Sequence, residues 1–170
     1  MAGRKLASRA VAPGGQSRTS TLEEKPLSLS GRFIVDNSVW ARLNTSPEVA
    51  SAFRSVVNMA SPMSIWVCPP TVAEIGFGAR DAASHATLLS QLTTAFWDCP
   101  NAPSSADTLR IQSSLWSNGL VRAAGAMDTV IAAYAIANDA TLLHYDRDFE
   151  YISSVVPVFR QRWIVPRGSV

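Results

Sequence analysis

From residue 31 onward, short apolar runs alternate with longer stretches whose apolar residues recur every three or four positions. Phe33-Ile34-Val35 is the first run and has the pattern of a buried strand. Asp36-Asn37-Ser38 follows and can cap a helix through Arg42-Leu43. Pro47 opens a second predicted helix, to about residue 59. Ser64-Ile65-Trp66-Val67 predicts a second strand, and Pro69-Pro70-Thr71 leads into a helix ending near Ala79. Residues 81–96 predict a longer helix with Leu88, Leu89, Leu92 and Phe96 on one side. Pro103 starts another, carrying Leu109, Ile111 and Leu115 to a stop at Asn118-Gly119. Residues 126–138 form the strongest helical pattern, and Thr141-Leu142-Leu143-His144 is a third strand. A short helix after Asp146 and a last strand over Val155-Val156-Pro157-Val158 complete the series. Strands alternating with helices predict an α/β domain, its mostly parallel sheet covered on both faces.

A length of 170 residues suits one domain. With 47% hydrophobic and 16% charged residues, the composition is that of a globular protein. No run approaches the ~18 apolar residues of a membrane span. Two cysteines, Cys68 and Cys99, cannot build a disulfide framework and fit a reducing cytosol, so a cytoplasmic protein is expected. Residues 1–30 carry Pro13-Gly14-Gly15 and no apolar period, which predicts a flexible basic arm ahead of a domain at 31–168. Five basic residues against two acids give residues 1–31 a net charge of +3. The remainder has ten Arg, no Lys and eleven acids, a net −1. The body is therefore no basic platform for a nucleic acid, and handling a phosphate polymer would require a cation.

The acids stand in unusual places. Asp36 ends one predicted strand and Asp146 lies just beyond another, and ligands in open α/β sheets bind outside the carboxyl ends of strands. Each can also be only a helix N-cap. Asp128 falls on an apolar helix stripe with Ala124, Ile131, Ala132 and Ala135. A buried carboxylate there needs a local bond, partial exposure or a metal. Thr71-Val72-Ala73-Glu74 matches a capping box, with Glu74 closing a helix start. Four acids drawn together would repel one another, and a hard divalent cation removes the conflict. Carboxylate oxygens suit Mg²⁺ or Mn²⁺, which activate water against a phosphate. A zinc centre finds too few partners, since only His144, His85 and two cysteines are available. No phosphate loop of the G-x-x-x-x-G-K-[ST] form occurs, and Ser38 breaks a D-x-D phosphatase pattern.

Four segments in order carry a resemblance: Phe33-Ile34-Val35-Asp36-Asn37-Ser38-Val39-Trp40, then Pro70-Thr71-Val72-Ala73-Glu74, then Asp128-Thr129-Val130-Ile131-Ala132-Ala133, and finally Thr141-Leu142-Leu143-His144-Tyr145-Asp146-Arg147-Asp148-Phe149. Their spacing resembles the PIN-domain nucleases, and within them the VapC-type ribonuclease toxins of type II toxin–antitoxin pairs. The resemblance implies a three-layer α/β/α PIN-like fold, an Mg²⁺- or Mn²⁺-dependent endoribonuclease, a homodimer and a small VapB-like antitoxin, with RNA as substrate. It assigns Asp36, Glu74, Asp128 and Asp146 to catalysis and metal binding, with Ser38 and Asp148 in support. It leaves open a PIN nuclease of RNA processing, and a catalytically idle PIN domain that only binds RNA or a partner.

Overall fold

The computed structural model describes residues 31–61 and 63–170, so the predicted arm lies outside the described residues. Five strands form one sheet: β1 (Arg32–Val35), β2 (Ile65–Val67), β3 (Trp97–Asp98), β4 (Ala140–His144) and β5 (Arg160–Trp163). Their order is β3-β2-β1-β4-β5, and every pairing is parallel. Seven helices connect and cover them: α1 (Asn37–Trp40), α2 (Pro47–Met59), α3 (Pro69–Phe77), α4 (Ala82–Ala95), α5 (Ser105–Ser117), α6 (Ala126–Ala137) and α7 (Asp148–Val155). The predicted α/β architecture is the one observed.

Alternation along the two central strands builds the layers. Phe33 and Val35 of β1 and Leu143 of β4 pack against Val39, Val49 and Phe53 from α1 and α2. Ile34 and Leu142 face the other way, onto Ile111 and Leu115 of α5, the alanines of α6, and Phe149 and Ile152 of α7. Both faces of β1 are thus buried, which is why its sequence reads as a continuous apolar run. The small side chains Ala132, Ala133 and Ala135 leave α6 close to the sheet.

The chain travels outward from β1 through β2 to β3, then returns across the sheet to lay β4 against the other side of β1. The connections reverse direction between β1 and β4, the switch point at which open α/β sheets bind ligands in the crevice outside the carboxyl ends of their strands. Asp36 and Asp146 follow directly from β1 and β4.

Two strands differ from expectation. The apolar run Val155-Val156-Pro157-Val158 is not the last strand: Val155 ends α7, Val156 and Val158 lie in the following loop, and Pro157 brings no amide for a ladder. The strand is Arg160-Gln161-Arg162-Trp163, an edge whose two arginines point outward and guard it from further pairing. On the other edge, the two-residue β3 follows α4, in register Trp66 to Trp97.

Asn138 locks the lower end of α6. Its carboxamide accepts from Asn101 N–H (3.0 Å) and donates to the carbonyls of Asn101 and Tyr134 (both 2.8 Å). The residue is buried, so truncation strands partners away from water. Asn138→Ala should lower stability by about 1–3 kcal/mol, read as a shifted urea midpoint at constant slope. A loss below a few tenths would mean that water replaces the amide.

Candidate active site

Asp36 is where the core ends and the site begins. Its amide extends the β1–β4 ladder by donating to the Leu143 carbonyl at 2.9 Å. Its carboxylate caps α1, accepting from Ser38 N–H at 2.7 Å, so the N-cap reading holds. Yet the residue is only 4% exposed. Burial pushes its carboxyl above the usual carboxylate range; the Ser38 bonds pull it back in part, and the Asp146 charge adds to the rise.

Ser38 ties this strand end to the next. Its hydroxyl oxygen accepts from Tyr145 N–H at 2.8 Å, bridging the segments after β1 and β4. Asp146 N–H donates to His144 Nδ1 at 3.1 Å, and Asp148 N–H donates to Asp146 Oδ1 at 3.1 Å. Because Nδ1 of His144 accepts, the neutral ring carries its proton on Nε2 and donates to Gln161 Oε1 at 2.6 Å. Burial lowers the His144 pKa, which keeps the ring neutral. The sequence offers His144 only as a strand-end residue. The structure makes it the buried prop under Asp146, braced by Phe149 and Trp163. Its position two residues before an acid was the available signal.

Asp128 sits in the first turn of α6, and its Oδ2 accepts from Gly125 N–H at 2.8 Å. A β-carbon on Gly125 would meet that same oxygen at 2.8 Å, so the glycine lets the carboxylate fold back. The expected local bond is therefore present, and the residue is half-buried. It does not relieve the charge. Burial first, then Asp148 and Asp146, drive the Asp128 carboxyl up to about 7, against the pull of the Gly125 amide.

Glu74 is not part of a capping box. Helix α3 starts at Pro69 with Cys68 as its N-cap, so Thr71 is already inside the helix. The Thr71 hydroxyl is buried against Cys68 Sγ at 3.3 Å. The Pro69-Pro70 pair moves the start upstream, since proline is preorganised for the first helical turn. Glu74 lies more than a turn in, half-buried. Partial burial and the Asp36 charge raise its pKa.

Asp36, Asp128, Asp146 and Asp148 thus share one region, with Asp146 acting on both Asp36 and Asp128. Glu74 approaches from the Asp36 side. None of the ion pairs among the described residues involves any of these acids. Among the described residues, no three His, Cys, Asp or Glu side chains are close enough to form a preformed metal cluster. The arrangement is an open, oxygen-only donor set with unbalanced negative charge.

An open parallel α/β sheet with carboxylates at its switch point defines a class of proteins, and comparison with known proteins names it. The family model described as "PIN domain" matches residues 33–154, and the chain belongs to that family. Ribonuclease VapC21 of Mycobacterium tuberculosis (strain CDC 1551 / Oshkosh) is 33% identical over 109 residues, covering 60% of this chain and 74% of its own. Ribonuclease VapC51 of Mycobacterium tuberculosis (strain ATCC 25618 / H37Rv) is 30% identical over 139 residues, covering 82% and 97%. In fold, the chain is similar to VapBC-1 from nontypeable Haemophilus influenzae, with a TM-score of 0.62 at 18% identity over 78% of this chain and 97% of that one.

The raised pKa of Asp128 has a defined sign. Between its ordinary 3.8 and about 7 the native chain holds a proton that the unfolded chain has released. That proton stabilises the fold at low pH, and its contribution is lost as pH rises through about 7. Metal-free protein should therefore melt at progressively lower temperature across that interval. Asp128→Asn should flatten the slope and melt higher than wild type above the interval. An unchanged slope in the variant would assign the pH dependence elsewhere.

Proposed function

We propose that the chain is an endoribonuclease toxin that hydrolyses RNA phosphodiester bonds and pairs with a small VapB-like antitoxin. The observation that carries this is the unbalanced carboxylate group at the β1–β4 switch point, in a chain about one-third identical to two VapC ribonucleases. On this reading residues 31–168 are the nuclease domain, residues 1–30 an appended basic arm, and the working form a homodimer in the cytoplasm. Among the described residues no helix is long and apolar enough to cross a membrane.

Asp36, Glu74, Asp128 and Asp146 would hold Mg²⁺ or Mn²⁺. The donor set supports this: it is all oxygen, and three of its members have raised pKa values that a cation would restore. An open set suits an ion that keeps waters and takes substrate oxygens. When bound, such an ion supplies electrostatic stabilisation of a phosphodiester and acidifies a water. The chain does the rest. The Ser38 N–H at the start of α1 would hold the Asp36 carboxylate in place. His144 fixes the backbone of Asp146, and Asp146 in turn anchors Asp148 beside Asp128. Asp128, whose carboxyl burial and the neighbouring Asp148 push up to about 7, would have to release its proton to serve as a ligand. With water as the nucleophile, the expected ends are 5′-phosphate and 3′-hydroxyl.

The purified chain should cut single-stranded RNA with Mn²⁺ and stop with a chelator. Asp36→Asn should abolish cutting while the fold persists. Glu74→Gln should melt like wild type yet lose about tenfold or more in rate, ~1.4 kcal/mol of barrier. If Glu74→Gln cuts as fast as wild type, the site reduces to the aspartates. If Asp36→Asn retains activity, the mechanism is wrong.

A further inference from the structure

Two arginines beside the acids are held without neutralising them. Arg42 donates from Nη1 to the Ser38 carbonyl at 2.8 Å, and its guanidinium carbon lies 4.7 Å from the centre of the Tyr145 ring. Arg147, though set between Asp146 and Asp148 in sequence, turns onto the ring of Tyr151 at 5.0 Å. Neither takes part in the ion pairs among the described residues, which use Arg110, Arg160 and Arg167. A guanidinium on an aromatic face keeps its charge and most of its N–H edge free for a planar acceptor.

Their placement is two-sided. Tyr145 packs in the cluster of Phe33, Val35 and Leu143, whereas Tyr151 packs against the cluster of Ile34 and Leu142. Those clusters occupy opposite faces of the sheet. Arg42 and Arg147 therefore stand over different helical layers, each joined within a residue or two to an acid at the crevice.

We propose that Arg42 and Arg147 bind two backbone phosphates of a single-stranded RNA, one on each side of the phosphate that is cut. The strand then crosses the carboxyl ends of β1 and β4 from one helical layer to the other. This rests on the ribonuclease reading and adds the path of the strand to it. The need is physical: five acids in the crevice repel a polyanion, and a body with net −1 has no general basic face to offset them. Guanidiniums fit phosphate in a fork geometry that an ammonium cannot match, and the described part of the chain holds arginine and no lysine.

The test separates binding from chemistry. Anisotropy of a labelled unstructured oligoribonucleotide, measured in EDTA across a salt series, reports binding without turnover. Steady-state cleavage with Mn²⁺ gives KM and kcat. Arg42→Ala and Arg147→Ala should each weaken binding and raise KM roughly fivefold or more, with kcat changed by no more than about twofold. Each should also reduce the salt slope by about 0.7. Lysine at either position should restore the slope but not the full affinity, and Arg54→Ala, an exposed charge on α2, should match wild type. A purely structural Arg42 would lower melting or kcat and leave the salt slope alone, which overturns the proposal. Loss from only one arginine, or an equal loss from Arg54→Ala, overturns it too. Wild type that binds RNA but never cuts it strikes the ribonuclease reading, while the EDTA arm still decides the two arginines.

Discussion

Like charges gathered at the ends of two adjacent parallel strands are the constraint around which this molecule is organised. Ionised carboxylates that are partly out of water repel one another and lose solvation at once. Among the described residues no ion pair offsets either cost. The chain anchors each acid through the backbone instead: Asp36 to Ser38 N–H, Asp128 to Gly125 N–H, and Asp146 to Asp148 N–H. All three bonds lie at helix starts, where free amides and the axial dipole favour negative charge. For Asp36, the N-cap of α1, and Asp128, which accepts from the N-cap amide of α6, a capping bond and the proposed metal role are compatible, whereas Asp146 only accepts from the first amide of α7, whose N-cap is Arg147. Glu74 differs from these three, because it lies more than a turn inside α3.

The rigidity of that arrangement comes from the sheet. Asp36 is the last residue of the β1–β4 ladder, since its amide still pairs with Leu143 while its buried carboxylate turns to cap α1. Ser38, Tyr145 and His144 then knit the two strand ends together behind the carboxylates. The phenol of Tyr145 reaches further, accepting from Gly168 N–H and Val170 N–H and donating to the Val170 carbonyl. A local disturbance of the terminal turn is thus two bonds away from the acids.

Much of this was legible in the sequence, for a reason that can be stated residue by residue. Strands buried on both faces, such as β1 and β4, are mostly apolar, so Phe33-Ile34-Val35 and Leu142-Leu143 declare themselves. Pro47 and Asn118-Gly119 mark helix ends by backbone chemistry alone. Edge strands obey another rule. Arg160-Gln161-Arg162-Trp163 pairs on one side only and must discourage partners on the other, so it is charged, and a search for apolar runs settles instead on Val155-Val156-Pro157-Val158. The misread capping box has a similar origin: Thr71 and Glu74 have the right spacing, but two prolines upstream start α3 earlier. The prop role of His144 is only half local: its place two residues before Asp146 can be read in the sequence, whereas the Gln161 that sets its tautomer lies seventeen residues away.

Charge segregation completes the logic. A lysine or arginine paired with Asp146 or Asp128 would stabilise the metal-free fold and remove the negative potential that a divalent ion needs. Arg147 shows the alternative, lying between two acids in sequence yet resting on Tyr151. Arg42 does the same on Tyr145. The tyrosine faces hold the two guanidiniums in place, each contact stabilising by ~0.5–1 kcal/mol at an exposed site. On the proposed reading, the acids would stay available to a cation and the arginines to a phosphate, so neither would be consumed by the other. On the proposed ribonuclease reading, the same separation would let a body with net −1 accept a polyanionic substrate, because what matters is which charges are left unpaired at the β1–β4 switch point.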